Sequence, residues 1–149
     1  AFLVRMVSIA TDSERRRMVN PRKVYPIDPG LIPIFDRSGK ANLGHALETC
    51  VLLELDRRGA EVRYMHTPAG REVDFLVRYT TGREELIQVC ASLDDPDTRE
   101  REIRALIEAG SFYPGAERSL IALDIPAALD IPSGIALHNA IDWMLVKSE

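Results

Sequence analysis

Apolar positions along this chain follow two periods, and the switches between them mark the predicted elements. Leu43, Leu47, Val51 and Leu55, with Ala46, Cys50 and Leu53 beside them, recur at helical spacing over a wide arc. The pattern predicts a well-buried helix from about Asn42 to Arg58, with Asn42 as N-cap and Gly59 as its stop. Strand-like runs follow at Glu61 to His66, Glu72 to Val77 and Leu86 to Cys90, separated by turns at Pro68-Ala69-Gly70 and Thr80-Thr81-Gly82-Arg83. Asp94 to Thr98 opens a second helix, with Ile103, Leu106 and Ile107 on its inner face and Gly110 at its end. Ser119 to Asp124 reads as another core strand, Pro126 to Pro132 as a loop, Gly134 to Leu137 as a last strand and Ala140 to Val146 as a closing helix. Ahead of all these, Phe2 to Ile9 reads as a strand, and Val24 to Leu31, with two prolines and a glycine, as a rigid extended segment and turn.

Polar residues interrupt this pattern where they cost most. On alternating strands, Glu72, Asp74 and Leu76 share one side, and Leu86, Gln88 and Cys90 share a side on the next strand. An Asp and a Gln inside such runs must be hydrogen-bonded, solvated in a cleft or bound to something. Glu48 poses the same problem on the first helix, because Val51, Leu52 and Leu55 are its neighbours one and two turns on. Glu54, by contrast, has Arg57 and Arg58 one turn away. A carboxylate like Glu48 calls for a metal, a proton or a distant donor; a backbone N–H or an arginine from elsewhere would also satisfy it.

Composition narrows the class. At 149 residues, 46% hydrophobic and 28% charged, the chain is an ordinary single globular domain in size and balance. No apolar run is long enough for a membrane helix and no signal-peptide pattern opens the chain. Cys50 and Cys90 lack the spacing of a zinc site or disulfide framework, which suits a reducing cytoplasm. The net charge of −4 removes the overall basic field of a dedicated nucleic-acid binder. A local patch remains: Arg15, Arg16, Arg17, Arg22 and Lys23 place five basic residues within nine positions. It reads as a solvated connector whose arginines meet carboxylates such as Asp12 and Glu14, or as a set of phosphate contacts for DNA. Ala1 opens directly on a strand-like run, which suggests a piece of a longer protein.

The order helix, three strands, helix, strand, with carboxylates on the first helix and second strand, resembles the core of the PD-(D/E)XK nuclease-like superfamily. More closely, the chain resembles the C-terminal domain found behind the P-loop domain in a broad family of prokaryotic AAA-type ATPases. The matching pieces are Asn20-Pro21-Arg22-Lys23-Val24-Tyr25, Ile27-Asp28-Pro29-Gly30-Leu31, Leu47-Glu48, Glu54-Leu55, Arg57-Arg58-Gly59, Glu72-Val73-Asp74-Phe75, Leu86-Ile87-Gln88-Val89 and Thr98-Arg99-Glu100-Arg101-Glu102. They span residues 20 to 110, and Ala140 to Leu145 suits the family's closing helix.

The resemblance implies a restriction-endonuclease-like α/β fold, a short mixed sheet flanked by helices, over residues 20–149. It implies that residues 1–19 are the remnant of an upstream linker or winged-helix-like segment. Glu48, Asp74 and Gln88 fall on the metal-ligand and catalytic positions for Mg²⁺ or Mn²⁺, and Cys90 falls on the lysine position. Gln88 is neutral where an acid is usual, and Cys90 supplies no cation; Arg99 or Arg101 is the nearest substitute. The chain has no GxxxxGK[ST] stretch, and Ser38-Gly39-Lys40 lacks its context, so ATPase activity would lie in an upstream domain of the same parent chain. The expected function is a catalytically degenerate module for DNA or partner binding or for assembly. An active Mg²⁺-dependent DNA endonuclease and a protein-interaction domain without a nucleic-acid role are the alternatives.

Overall fold

The computed structural model describes residues 3–11, 13–35 and 42–146. Phe2, Asp12 and the Ser38-Gly39-Lys40 stretch lie outside the described residues. In chain order the elements are β1 (Val4–Val7), α1 (Glu14–Val19), β2 (Lys23–Pro26), a 3-10 turn (Pro29–Leu31), α2 (Ile32–Phe35), α3 (Leu43–Arg57), β3 (Glu61–His66), β4 (Glu72–Arg78), β5 (Glu84–Ser92), α4 (Pro96–Phe112), β6 (Glu117–Asp124), β7 (Ala136–Asn139) and α5 (Ala140–Leu145). A five-stranded mixed sheet in the order β3-β4-β5-β6-β7 and a small antiparallel β1-β2 ribbon make this an α/β fold, compatible with a restriction-endonuclease-like core. β3, β4 and β5 form an antiparallel meander, and β5, β6 and β7 run parallel, with α4 crossing over between β5 and β6.

Both sheet faces are covered, so the central strands are apolar on both sides. On one face Leu47, Val51, Leu52 and Leu55 of α3 and Trp143 of α5 pack on Phe75, Val77, Ile87 and Ile121. On the other, Ala105, Leu106 and Ala109 of α4 pack on Val73, Leu76, Leu86, Cys90 and Leu120. β1 and β2 join the first layer: Val7 and Tyr25 are buried in it, and Ile9 bridges to Tyr64 of β3. The connector expected before residue 23 holds a short helix, α1.

The helix ends follow local chemistry. The Asn42 side chain accepts from the His45 N–H at 3.1 Å, as an N-cap should. At the other end the Gly59 N–H donates to the Asp56 carbonyl and the Ala60 N–H to the Leu55 carbonyl, a Schellman closure with Gly59 at φ +70°. Asp95 caps α4 by accepting from the Thr98 N–H at 2.9 Å, with Pro96 at the first helical position. α4 runs past the expected stop at Gly110 to Phe112. Gly110 serves close approach instead: a Cβ there would lie 3.0 Å from Arg118 Cδ. The inner face of α4 is also rotated from the expected one, with Glu102, Ala105, Leu106 and Ala109 buried and Ile107 exposed.

One irregularity positions the candidate site. Between the pairs Arg63↔Leu76 and Met65↔Val73, β4 spends one more residue than β3, so a bulge falls at Asp74-Phe75. The expectation that Glu72, Asp74 and Leu76 share a side fails here, because the extra residue sends Leu76 to the α4 face. Just there the β4–β5 ladder ends, its last pair being Phe75↔Ile87, while β5 stays paired with β6 as far as Ser92↔Asp124. The opened strand pair forms a cleft.

No helix among the described residues is long and apolar enough to cross a membrane. Since no atom lies within 4 Å of a Cβ built on Gly59, Gly59→Ala meets only the left-handed backbone penalty. Urea unfolding should show a loss of about 1 kcal/mol, the alanine's smaller unfolded-chain entropy offsetting part of the strain.

Candidate functional site

Where β4 leaves β5, side chains replace the missing ladder bonds. Asp74 Oδ2 accepts from the Val89 N–H at 3.0 Å, and Gln88 Oε1 accepts from the Asp74 N–H at 3.3 Å. The resulting cleft, about 500 Å³, lies at the carboxyl end of the parallel strands, where ligands of open α/β sheets gather. Glu48, Glu72, Asp74, Gln88, Cys90, Arg101 and Glu102 all line it.

Three of its carboxylates, those of Glu48, Glu72 and Asp74, meet a cation from outside the main sheet. Lys23 Nζ on β2 lies 2.5 Å from Glu72 Oε1, 3.0 Å from Asp74 Oδ1 and 3.9 Å from Glu48 Oε2. Two residues on, and therefore on the same side of the strand, Tyr25 donates its hydroxyl to Glu48 Oε2 at 3.1 Å. Tyr25 is fully buried, stacked on His45 and tilted against Phe75. Tyr64 sets its ring 5.8 Å from Lys23 Nζ and donates its hydroxyl to the Pro21 carbonyl, fixing the chain just ahead of the lysine. His66 adds a further contact to Glu72 Oε2 at 2.7 Å.

The other half faces α4. The Gln88 amide donates to Glu102 Oε2 at 2.5 Å, and Arg101 donates to Glu102 Oε1 at 2.6 Å. Cys90 is buried, with its thiol donating to the Ser92 carbonyl at 2.8 Å. Gln88 and Cys90 share the α4 side, as their spacing predicts.

Burial and mutual repulsion govern the titrations. Burial first, then the Asp74 carboxylate, pushes the Glu48 carboxyl up to about 7, against the opposing pull of Lys23 and the Tyr25 hydroxyl. Burial also pushes Asp74 up, opposed by Lys23 and the Val89 N–H. Burial alone would lower Lys23, but Asp74, Glu72 and Glu48 together outweigh it and raise the ammonium above its usual range. Glu72 goes the other way: its burial is outweighed by Lys23 and His66, which hold it below the usual carboxylate range. Burial pushes the Cys90 thiol up and so away from a reactive thiolate.

The structure therefore brings Glu48, Asp74, Gln88 and Cys90 into one cleft, but not as one ligand set. Gln88 reaches Asp74 from the α4 side, whereas Glu48 approaches with Lys23 from the other. Lys23, expected in an outward basic patch, is turned into the acidic cluster with a side chain 20% exposed. Arg15 and Arg22 are exposed, and the side chains of Arg16 and Arg17 lie outside the described residues. Arg101 lines the cleft but pairs with Glu102, and Arg99 donates to the Leu93 carbonyl. Tyr25 and Glu102 are members that sequence reasoning missed, and it placed Lys23 in the basic patch and Glu72 beside Asp74 without a role in the site. The period-2 spacing of Lys23 and Tyr25 in a proline-bounded extended segment was the available signal.

As arranged, these residues do not fit Mg²⁺ or Mn²⁺. The ammonium lies among the carboxylates, both Asp74 oxygens are engaged, and Gln88 Oε1 already accepts a backbone N–H. Among the described residues no group of three or more Asp, Glu, His or Cys side chains is placed to hold a metal ion. A larger cavity of about 1240 Å³ opens at the amino ends of β5 to β7. Its buried carboxylate, Glu85, is answered by the Tyr79 and Ser119 hydroxyls, so it poses no comparable unsolved charge.

No protein-family profile matches the chain, and no solved structure matches it. An uncharacterized protein of Methanocaldococcus jannaschii, MJ1544, is 38% identical over 100 residues, covering 65% of this chain and 22% of that protein. The chain thus spans about a fifth of that relative's length.

Replacing Glu48 tests the electrostatics. The folded state keeps the Glu48 proton up to about 7, whereas the unfolded chain releases it near 4.5. Between those values the folded state binds more protons, so this group's contribution is full below the lower value and is lost as pH rises through the upper. Glu48→Gln removes the titration. Its stability relative to wild type should climb between those two pH values by roughly 1–3 kcal/mol and then level off, read by denaturant unfolding across pH.

Proposed function

We propose that the chain is a nuclease-like domain that does not cleave, serving in binding and assembly within a larger AAA-type ATPase. The observation that carries the reading is Lys23 Nζ among Glu48, Glu72 and Asp74, which sets a fixed positive charge in the cluster where a PD-(D/E)XK enzyme gathers divalent cations. Three further features support it. Gln88 and Cys90 stand where the resemblance calls for an acid and a lysine. The sheet and helix order is compatible with the nuclease-like core. The relative from M. jannaschii is several times longer than the matched region, which suits a domain within a larger protein.

The binding half of the reading rests on the outer face of the β1–β2 ribbon. Met6 and Val24 pair across the strands and are 49% and 51% exposed, with Val4 beside them on β1. Met18 and Val19 of the neighbouring α1 are also exposed. An apolar face of this kind suits the ATPase part of the same parent chain. Arg15 and Arg22, both exposed, would add phosphate contacts if DNA is held as well. On this reading the domain works in the cytoplasm.

One observation favours a second reading, an active metal-dependent endonuclease. Lys23 Nζ, 3.0 Å from Asp74, supplies to the cleft the positive charge that Cys90 does not. A single assay separates the two. Incubated with supercoiled plasmid and Mn²⁺ or Mg²⁺, the wild-type domain should leave the plasmid intact at all metal concentrations. Metal-dependent nicking that disappears in Asp74→Ala would establish the second reading and overturn the first.

A further inference from the structure

We propose that Lys23 is a resident cation that takes the place of a divalent ion in this cleft, so that removing its charge turns the cluster into a metal site. The proposal rests on reading the cleft as nuclease-like, and the experiment below keeps the two ideas apart.

The position of the ammonium is over-determined. Three carboxylates surround it, at 2.5, 3.0 and 3.9 Å, and the Tyr64 ring lies 5.8 Å away. The strand carrying it is fixed on both sides of the lysine, by the Tyr64 hydroxyl on the Pro21 carbonyl and by the buried Tyr25 ring on His45 and Phe75. Lys23 is thus held, with 20% of its side chain exposed, and is not a surface side chain swinging past.

The surroundings of that nitrogen are those of a hard cation. Its neighbours are carboxylate oxygens of Glu48, Glu72 and Asp74, with the Tyr25 hydroxyl next to the first. Mg²⁺ and Mn²⁺ take oxygen ligands at about 2.1 Å. An ion in place of the nitrogen would need the Glu72 and Asp74 oxygens to draw in by less than about 1 Å, and could reach Glu48 through a water. With the lysine present, a divalent ion must displace an ammonium bonded to two carboxylates and then lie beside a positive charge. With the lysine neutral, the three carboxylates lose the cation they share, and a divalent ion can supply that positive charge in competition with protons on Glu48 and Asp74.

The test is calorimetric titration of Mn²⁺ into the wild-type domain, Lys23→Met, Lys23→Gln and the double variant Lys23→Met with Asp74→Asn. Circular dichroism reports folding in each, with and without the ion. Wild type should show no specific Mn²⁺ binding. At least one single variant should bind one ion per chain, tighter than wild type by roughly a factor of ten or more, and the double variant should lose that gain. A variant that is unfolded alone but folds in Mn²⁺ counts as the same result. Wild type binding Mn²⁺ as tightly as the single variants overturns the proposal. So do folded single variants without a gain, variants left unfolded at saturating Mn²⁺, or a gain that survives Asp74→Asn. Plasmid nicking by the wild type, by contrast, overturns the non-cleaving reading, whereas a failure of the lysine variants to gain Mn²⁺ leaves that reading standing.

Discussion

One ammonium answering three carboxylates is the constraint on which the geometry of this fold turns. Asp74 has a side chain 8% exposed, and Glu48 is mostly buried beside it. Burial pushes both carboxyls up, and the nearby ammonium opposes that push on each, leaving Glu48 at about 7. The sheet offers no such cation, since the strands of the cleft carry Gln88 and Cys90 where a basic residue could stand. The cation arrives on β2, which explains why a two-stranded ribbon outside the main sheet has its inner residues in the principal core. Val7 and Tyr25 anchor the ribbon through apolar contact, and Lys23 anchors it through charge.

The opened strand pair is the second half of the same arrangement. A bulge at Asp74-Phe75 and a ladder that stops at Phe75↔Ile87 leave backbone N–H groups that must find acceptors. Asp74 and Gln88 supply them with their own side chains, each bonding to the backbone across the gap. This gives Gln88 a structural reason beyond a weakened ligand. Its oxygen accepts from the Asp74 backbone, and its nitrogen donates to Glu102. A carboxylate at residue 88 would satisfy the first bond and set two negative charges against each other at the second. The amide is the side chain that meets both neighbours, whereas an acid there would require Glu102 to be protonated or moved.

Much of this was legible in the sequence, and the physics explains what was not. Helical spacing from Leu43 to Leu55, with Asn42 before and Gly59 after, defines α3 because propensity, caps and burial agree there. The strands flanking the two short turns were legible for the same reason. The apolar settings of Glu48 and Asp74 marked each carboxylate as needing a partner, but only the nuclease-like resemblance implied that the two converge. The bulge was not legible, since strict alternation is the prior for a strand and nothing local in Val73-Asp74-Phe75 marks an extra residue. The role of Lys23 was hidden by its company. It closes a run of five basic residues that reads as a solvated patch, and its partners lie 25, 49 and 51 positions away in sequence. Local pattern cannot rank such partners. The inner face of α4 escaped notice because apolar counting favours Ile107 over Glu102, and only the Gln88 and Arg101 contacts make the glutamate the inward residue.

The charges in the cleft are paired off locally, which constrains what the site can still bind. Lys23 holds Glu72 and Asp74 and is near Glu48; Arg101 holds Glu102; Gln88 joins the two groups, accepting from the Asp74 backbone and donating to the Glu102 carboxylate. A ligand entering the cleft would have to break an existing ion pair before it could form its own, and the cost is highest on the buried Lys23 side. The Arg101 side is different, because the Arg101 side chain is 68% exposed while that of Glu102 is 9% exposed, so a departing guanidinium would leave a buried carboxylate held only by the Gln88 amide. The side chains of the site supply its positive charge themselves, and this is why the architecture of the site and its chemistry must be tested separately.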